Sequence, residues 1–278
     1  MIPDWQTNKV YLSGRLEIDY PTSHANIKYT LNDLQIVPHY LTDTKDVWAR
    51  DYMPIQKMKD KFIEYRYDPD YLQGNRKGYR DLKTYPDIVC TRNNLSATIK
   101  SGLILDGGNV VKSKNSIILT DKVAIENRFT KTETINHLKR IFEVDNVILI
   151  PWFKKEKFGH SDGVVRFINE NTVLLHEIDK NNSPLIRKIQ ESRIDIRWLE
   201  FDVDKKNKLN WAYLNFLQME NTMLIPKLGI DEDEQAFRQI NNLYKDYIEP
   251  QRIVQVNVRD LVEFGGGALN CISWTIKG

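Results

Sequence analysis

The chain has 278 residues, of which 41% are hydrophobic and 28% are charged, a composition typical of a soluble globular protein with a buried core. Its 40 lysines and arginines nearly balance 38 aspartates and glutamates, so the basic excess of a nucleic-acid-binding protein is absent and no nucleic-acid partner is predicted. Two cysteines exclude a disulfide framework, and the lack of a long apolar run or a signal-peptide pattern predicts a cytoplasmic protein with no membrane partner.

Short β-branched runs alternate with amphipathic helix patterns along the chain. Strands are predicted at residues 34–37, 62–67, 103–105, 117–120, 147–150, 172–176, 194–199, 222–226 and 253–258. A first helix is predicted to begin at Thr130, where Thr-Lys-Thr-Glu is a capping-box pattern. A second begins with Ser183 as N-cap and Pro184 at the first helical position, and a third begins near Asp231 with acidic residues in its first turn. This alternation predicts an α/β fold.

A regular spacing connects five polar or reactive side chains at intervals of 55, 54, 55 and 56 residues. They are Asp51, Asp106, His160, Asn215 and Cys271. Five units of about 55 residues account for the whole chain, and equal repeats that each carry one special position are typical of a ring or propeller. In a ring the matching positions face the common axis, so these residues are predicted to meet in one pocket of a single catalytic domain over residues 1–278.

Cys271 follows a run of three glycines, Gly265 to Gly267. Three consecutive glycines cost too much backbone entropy for the interior of a helix or strand, so they indicate a loop in which the backbone approaches a ligand. We predict that Gly266 and Gly267 present backbone N–H groups to that ligand and that Cys271 is a nucleophile. A buried structural cysteine beside a tight turn is the alternative, and it is the interpretation kept for Cys90, which has no comparable setting.

The sequence Gly-His-Ser-Asp at 159–162 places His160 and Asp162 two residues apart. On an extended segment such side chains point to the same side, so both can face one pocket. Histidine transfers protons near neutral pH, which makes His160 a candidate acid/base catalyst. A plain turn is the alternative interpretation of so short a pattern.

Two further patterns combine carboxylates with an aromatic ring or with glycines. In segment 46–51, Trp48 lies between Asp46 and Asp51, an arrangement that can stack on a flat cation and neutralise it, because carboxylates pair with guanidinium through two hydrogen bonds. A salt-bridged surface loop is the alternative. In segment 105–109, Asp106 precedes two glycines, which fits either a hairpin turn or a loop that lines a pocket.

Together and in this order, the motifs resemble those of the agmatine deiminase and bacterial peptidylarginine deiminase family, over nearly the whole chain from Trp5 to Cys271. The motifs that carry the resemblance are Trp48-Ala-Arg-Asp51, Asp106-Gly-Gly-Asn109, Gly159-His-Ser-Asp162, Tyr213-Leu-Asn-Phe216 and Gly265-Gly-Gly-Ala-Leu-Asn-Cys271. The resemblance implies a five-bladed α/β propeller, the pentein fold, with the active site on its pseudo-fivefold axis. It also implies a hydrolase that acts on the C–N bonds of amidines.

The resemblance further implies a cysteine-dependent deiminase that converts a guanidinium group into a ureido group and ammonia through a covalent thiouronium intermediate. Cys271 is then the nucleophile, His160 the acid/base catalyst, and Asp51 and Asp162 the carboxylates that bind the guanidinium. The positions that match pocket-lining or supporting residues are Trp48, Asp106 and Asn215. No metal or organic cofactor is implied. The expected partner is a small guanidinium-bearing substrate, and a homo-oligomer is left open.

Two residues depart from the family pattern. Asn270 stands immediately before Cys271, where family members usually have histidine, and Asp106 stands where they commonly have glutamate. These departures leave the substrate open among agmatine, free arginine, peptidyl-arginine and other guanidines. An amidinotransferase uses the same residues, and a non-catalytic guanidinium-binding protein is the alternative from another class. The polar stretch 68–80 is interpreted as an ordinary solvated loop, with a lid or rim of the pocket as the alternative.

Overall fold

Short helices and strands alternate along the chain in the computed structural model, which describes residues 1–73, 80–95, 98–153 and 158–278. The helices within these ranges are α1 (Leu16–Asp19), α2 (Pro21–Asp33), α3 (Ala49–Tyr52), α4 (Pro86–Arg92), α5 (Lys122–Asn127), α6 (Lys131–Phe142), α7 (Ser183–Glu191) and α8 (Asp233–Tyr244). The strands within them are β1 (Lys9–Ser13), β2 (His39–Leu41), β3 (Ile55–Met58), β4 (Lys61–Arg66), β5 (Thr98–Ile104), β6 (Val111–Lys112), β7 (Ser116–Thr120), β8 (Asn146–Ile150), β9 (Val165–Asn169), β10 (Thr172–His176), β11 (Asp195–Leu199), β12 (Leu217–Met219), β13 (Thr222–Lys227), β14 (Ile253–Asn257) and β15 (Ser273–Ile276). Within the same ranges, no helix has both the length and the apolar character that crossing a bilayer requires.

In the described residues the strands form five three-stranded sheets that repeat one pattern. The sheets are β15–β1–β2, β3–β4–β5, β6–β7–β8, β9–β10–β11 and β12–β13–β14. In each sheet the middle strand pairs antiparallel with the first and parallel with the third. Parallel neighbours require a crossover, and at least one helix supplies it in every sheet. We call each sheet with its crossover a blade and number the blades 1 to 5, starting with the sheet of β1.

The last strand of the chain closes the ring. In blade 1, β15 pairs antiparallel with β1, from Lys9 opposite Ile276 to Leu12 opposite Ser273. Blade 1 is also tied to blade 2, because the indole N–H of Trp274 on β15 donates a hydrogen bond of 2.7 Å to the carbonyl of Pro54. Five equivalent blades closed in this way confirm the predicted five-bladed α/β propeller.

Buried hydrophobic side chains cross the boundaries between blades. One cluster joins Leu12 of β1 to Leu224 of β13 and Ile240 of α8, and so connects blade 1 to blade 5. Another joins Ile118 of β7 to Val173 of β10, and so connects blades 3 and 4. Such contacts hold the blades in a fixed relation, which is what a site assembled from several blades needs.

The predicted strand at residues 34–37 is wrong. Helix α2 runs to Asp33, and Leu34 follows it as the C-cap. Gln35 then adopts a φ of 61°, in the left-handed region, so the backbone turns there and cannot continue as a strand. The strand of this blade, β2, begins only at His39.

The start of α6 agrees with the prediction and that of α7 differs by one residue. Thr130 caps α6, and its side chain and that of Glu133 form both hydrogen bonds of the capping box. In α7 the N-cap is Asn182 rather than Ser183, because the Asn182 side chain accepts a hydrogen bond from the Leu185 N–H at 3.3 Å.

Candidate active site

The five residues at the regular spacing occupy equivalent places in the blades. Each lies two to five residues before the first strand of its sheet, at the same end of that strand. Asp51 precedes β3, Asp106 precedes β6, His160 precedes β9, Asn215 precedes β12 and Cys271 precedes β15. The repeat of the supersecondary unit therefore brings them to one end of the ring.

Hydrogen bonds between blades connect these loops. The Arg50 N–H donates to the Cys271 carbonyl at 3.0 Å, which joins blades 1 and 2. The Gly108 N–H donates to Oδ1 of Asp51 at 3.1 Å, which joins blades 2 and 3. The Asp162 N–H donates to the Gly108 carbonyl at 3.1 Å, which joins blades 3 and 4. These contacts fix the relative positions of side chains that are far apart in sequence.

Cys271 is held by Asn215 of blade 5 and faces a carboxylate. Its N–H donates to Oδ1 of Asn215 at 3.1 Å, and the N–H of Asn270 donates to the Asn215 carbonyl at 3.0 Å. The Cys271 thiol donates to Oδ2 of Asp162 across 3.7 Å. Burial raises the pKa of the thiol well above its ordinary value, and the charges of Asp162 and Asp51 add to this effect. Cys271 is therefore a neutral thiol when the site holds no ligand.

A cavity of about 210 Å³ lies beside Cys271. It is lined by Asp46, Trp48, Asp51, Tyr67, Tyr71, Leu72, Leu82, Phe158, His160, Gly265, Gly266, Gly267 and Cys271. Of the predicted site residues, those that line it are Cys271, His160, Asp51, Trp48, Gly266 and Gly267. No three His, Cys, Asp or Glu side chains of the described ranges are grouped as metal ligands.

The remaining predicted residues, Asp106, Asp162 and Asn215, lie behind the cavity wall rather than in it. Asp106 contacts His160, whereas Asp162 and Asn215 contact Cys271. The expectation that His160 and Asp162 share one face fails because the segment after His160 is a turn and not an extended strand. The Val164 N–H bonds to the Ser161 carbonyl at 3.0 Å in this turn.

His160 lies between two carboxylates. Its Nε2 is 3.1 Å from Oδ2 of Asp106, and its Nδ1 is 3.6 Å from Oδ1 of Asp51. Burial on its own lowers the pKa of His160, but the charge of Asp51 and the hydrogen bond with Asp106 outweigh it and raise the pKa to about 9. His160 is therefore an imidazolium at neutral pH and can act as a proton donor.

The position of the Asp51 carboxylate depends on Gly108, which lies opposite it. Burial raises the pKa of Asp51 to about 7, and the charge of His160 opposes part of this rise. A Cβ at Gly108 would lie 2.5 Å from Oδ1 of Asp51 and 2.7 Å from Nδ1 of His160. Only glycine leaves room here for both groups. The two glycines after Asp106 thus belong to a site loop, not to a plain hairpin turn.

Asn270 fixes the carboxylate that faces the sulfur. Its side-chain amide donates to Oδ2 of Asp162 at 2.6 Å, and Nε of Arg50 donates to the backbone carbonyl of Asn270 at 3.3 Å. The residue that departs from the family pattern therefore still provides a hydrogen-bond donor beside Cys271. Asp162 receives two donors, an amide and a thiol, and is held in place by both.

Two of the three glycines, Gly265 and Gly267, pack against the Trp48 ring. A Cβ at Gly265 would lie 2.8 Å from Cη2 of Trp48 and 2.7 Å from the Tyr20 hydroxyl. Gly266 adopts a φ of 76°, which side chains rarely tolerate. Close packing and backbone conformation thus explain the run of glycines. Presentation of N–H groups to a ligand stays a prediction.

Aromatic and aliphatic side chains that sequence reasoning missed form much of the cavity wall. They are Tyr67, Tyr71, Leu72, Leu82 and Phe158. Tyr71 and Leu72 belong to a short helical turn, Asp70–Leu72, inside the stretch interpreted as a solvated loop. That interpretation is wrong for these two residues, because they line the cavity. Residues 74–79 of the stretch lie outside the described residues. The density of tyrosines in the stretch was the available signal.

Solved structures share this architecture. The C. jejuni agmatine deiminase matches with a TM-score of 0.74 at 19% identity, covering 100% of this chain and 95% of that one. Its cysteine-to-serine variant with substrate bound matches at 0.73 and 16%, covering 100% and 96%. DDAH from Pseudomonas aeruginosa, a cysteine-to-serine variant complexed with citrulline, matches at 0.59 and 12%, covering 98% and 100%. These similarities define the fold class, the pentein propeller shared by agmatine deiminases and DDAH.

The family follows from the sequence as a whole. The family model of the Porphyromonas-type peptidyl-arginine deiminases matches residues 10–276, nearly the full length. The chain belongs to the Porphyromonas-type peptidyl-arginine deiminase family. This assignment confirms the resemblance found in the motifs and the predicted class of enzyme, a hydrolase of the C–N bond of a guanidino group.

Proposed function

We propose that this chain is a cysteine-dependent deiminase that hydrolyses the guanidinium group of a small substrate to a ureido group and ammonia. The observation that supports this most directly is the meeting of Cys271, His160 and Asp51 at one cavity, although they lie on three different blades. A nucleophilic sulfur, a proton donor and a carboxylate that pairs with the cation are the groups that this reaction requires.

In the proposed complex Asp51 pairs with the guanidinium inside the cavity, whereas Asp162 acts on the sulfur of Cys271 from behind the cavity wall. Asp51 lines the cavity, and Asp162 lies 3.7 Å from the sulfur of Cys271. A planar cation paired with Asp51 has its central carbon close to that sulfur, with Trp48 as an aromatic wall. Such positioning of reacting groups can contribute roughly 7–11 kcal/mol toward the barrier of the first bond-forming step.

The substrate activates the nucleophile in this proposal. Cys271 is a thiol because burial and two nearby carboxylates raise its pKa. His160 is already protonated and cannot accept the thiol proton, whereas Asp162 faces the sulfur. A guanidinium cation bound in the site offsets the negative charge and favours the thiolate. The proton passes to Asp162, and the sulfur forms a bond to the guanidinium carbon.

His160 then supplies the proton for the leaving ammonia. The imidazolium protonates one NH₂ nitrogen of the tetrahedral adduct, the C–N bond breaks, and a thiouronium remains on Cys271. Neutral His160 next takes a proton from water as the water oxygen attacks the thiouronium carbon. As the C–S bond breaks, the sulfur takes back the proton held by Asp162, and the hydroxyl proton of the second adduct passes to the released ammonia. The ureido product leaves, and the thiol of Cys271, the carboxylate of Asp162 and the imidazolium of His160 are all regenerated. One water is consumed, and the positive charge of the substrate leaves as ammonium.

The cavity favours a substrate whose far end carries an amine rather than a carboxylate. Apart from His160, no basic side chain of the described ranges lines it, whereas Asp46 adds a second carboxylate to its wall. Asp46 also lines an adjoining groove of about 630 Å³, which carries charges of both signs. A free arginine would need an arginine or lysine to bind its carboxylate. Arg15 and Lys45 line only the adjoining groove, and the charged residue that the groove shares with the cavity is Asp46. We therefore favour an agmatine-like substrate.

Replacement of Cys271 by serine tests the proposal. Wild-type protein and Cys271→Ser are assayed for ammonia and ureido product with agmatine, free arginine and an N-acyl-arginine amide. We expect turnover of agmatine by the wild type and a loss of at least about 1,000-fold in kcat for Cys271→Ser. Cys90→Ser is the matched control, because Cys90 is buried in α4 and has no part in the proposed reaction.

Two results would overturn the proposal. One is turnover by Cys271→Ser within about 10-fold of the Cys90→Ser control, because the sulfur would then be dispensable. The other is an absence of ammonia release from every guanidine tested with the wild type. Mass spectrometry of rapidly quenched enzyme is expected to show the thiouronium on Cys271, which separates covalent chemistry from simple binding.

A further inference from the structure

We propose that Lys122 is a positioning residue for this reaction: its ammonium group fixes the carboxylate of Asp106, and that carboxylate fixes the ring of His160. The catalytic consequence rests on the proposed function, whereas the link from Lys122 to His160 does not. Lysine side chains are almost never fully buried unless they are paired. Lys122, at the start of α5, is 0% exposed. Burial of an ammonium is costly unless it is paired, so its partners reveal its role.

One oxygen connects Lys122 to the acid/base catalyst. Nζ of Lys122 lies 2.7 Å from Oδ2 of Asp106, and the same oxygen lies 3.1 Å from Nε2 of His160. Both distances lie within hydrogen-bonding range, and that between Lys122 and Asp106 has the length of a charge-assisted bond. Because Nε2 of His160 donates to Asp106, the other ring nitrogen, Nδ1, is directed toward Asp51 and the cavity. The orientation of the proton donor therefore depends on a carboxylate that Lys122 holds from its other side.

Lys122 also supports the walls next to His160. Its Nζ lies 4.9 Å from the centroid of the Tyr71 ring, and that ring meets the His160 ring edge to face at 6.1 Å. The chain before His160 packs on the aliphatic part of the lysine, since a Cβ at Gly159 would lie 2.6 Å from Cδ of Lys122. Lys122 thus contacts three neighbours of His160 without contacting the cavity itself.

Three carboxylates face this one ammonium group. Besides Asp106, they are Asp70 at 3.3 Å and Glu126 at 3.4 Å. Burial raises the pKa of Glu126 to about 7, and the charge of Asp106 adds to the rise. Burial also tends to raise the pKa of Asp106. The hydrogen bond with His160 and the charge of Lys122 outweigh this effect, so the pKa of Asp106 is lowered. Without the ammonium, Asp106 would share a buried site with Glu126, and its protonated form would become more favourable.

Protonation of Asp106 would in turn lower the pKa of His160, because the imidazolium would lose a neighbouring negative charge. Among the described residues, the groups that face His160 include Asp51 of α3, Asp106 before β6, Asp162 of its own loop, and the rings of Tyr71 and Phe158. The carboxylates keep His160 protonated against the effect of burial, and Asp106 is the one in hydrogen-bonding contact. Loss of its charge is therefore expected to release the His160 proton at a lower pH.

Substitution of Lys122 tests the link directly. Lys122→Met removes the charge and keeps the length, Lys122→Gln keeps a donor without the charge, and Lys122→Arg keeps the charge. The matched control is Lys57→Met, which removes a buried ammonium on β3 that pairs with Glu143. The titration of His160 is followed by NMR of ¹⁵N-histidine-labelled protein, with its signal identified as the one missing in His160→Asn.

We expect the titration midpoint of His160 to fall by about one pH unit or more in Lys122→Met and Lys122→Gln, and to recover in Lys122→Arg. The alkaline limb of the kcat profile should move by the same amount, and Lys57→Met should change neither. An unchanged midpoint in a folded neutral variant would overturn the proposal. Failure of both neutral variants to fold would do so too, since Lys122 would then be a structural residue.

The NMR measurement separates this inference from the proposed function. A shifted midpoint in a protein that turns over no guanidine would leave the link from Lys122 to His160 standing and remove the deiminase reaction. Turnover by the wild type, combined with an unchanged titration midpoint in the Lys122 variants, would support the deiminase reaction and remove the link from Lys122 to His160.

Discussion

Replacing Gly108 with alanine adds a methyl group between two side chains on which the proposed reaction depends. The new Cβ would lie 2.5 Å from Oδ1 of Asp51 and 2.7 Å from Nδ1 of His160, both shorter than the 3.4 Å at which ordinary contact begins. The Asp51 oxygen must therefore move by about 0.9 Å and the imidazole nitrogen by about 0.7 Å, unless the backbone shifts. The 3.1 Å hydrogen bond from the Gly108 N–H to Asp51 is expected to weaken at the same time.

A displacement of this size is expected to lower kcat/KM about 100-fold, since a misplacement of 1 Å can cost a factor of that order. Overpacking should also lower the free energy of unfolding by ~1–3 kcal/mol. Gly102→Ala is the matched control, because a Cβ there meets nothing within 4 Å. Ammonia release at several agmatine concentrations gives kcat/KM, and urea titration gives stability. An activity of Gly108→Ala within about 3-fold of the control would refute the reasoning.

The kcat/KM of the wild type should follow a bell-shaped pH profile, because the reaction needs Asp51 ionised and His160 protonated. Since both pKa values are raised, activity should rise as pH passes about 7 and fall as it passes about 9, whereas a rising limb near pH ~4 would contradict an up-shifted Asp51. Asp46→Asn should raise the KM for agmatine about 10-fold, by loss of a charged hydrogen bond to the distal amine, and leave the KM for butylguanidine within about 2-fold. The asparagine keeps the oxygen that accepts from the Trp48 N–H, so an equal rise for both substrates would point to a disturbed loop instead.

The architecture was predictable because a repeat can be recognised from spacing in the sequence alone, with no knowledge of which residues are in contact. The spacing from Asp51 to Cys271 reflects one supersecondary unit used five times, and the structure shows that unit as a blade. Several first strands of the sheets were missed because they are too short to show a period, such as β6 with two residues and β12 with three. Helix α2 was missed for a related reason, since Ile27 and Leu31 are its only buried aliphatic residues and form a weak apolar stripe.

The candidate site was predictable where chemistry is concentrated in a short motif and not where it comes from tertiary packing. Cys271, His160 and Asp51 each belong to a short motif with glycines or an aromatic residue nearby, and all three line the cavity. Lys122 lies in a charged stretch typical of a surface, and only the folded chain places Asp70 and Asp106 around it. Whether Asp162 bends into the cavity or behind it depends on a turn that a two-residue spacing cannot reveal.

The charges at the centre of the ring favour a cation that comes from solution. Asp51, Asp106 and Asp162 surround His160 and Cys271, while the cations in direct contact with these carboxylates include His160 and Lys122. Burial makes an uncompensated carboxylate costly, which is why the pKa of Asp51 is raised to about 7. In the proposed complex, a bound guanidinium supplies a further positive charge and favours ionised Asp51 and a Cys271 thiolate together. In the proposed reaction the site is thus least reactive when empty, and substrate binding itself converts the cysteine into the nucleophile.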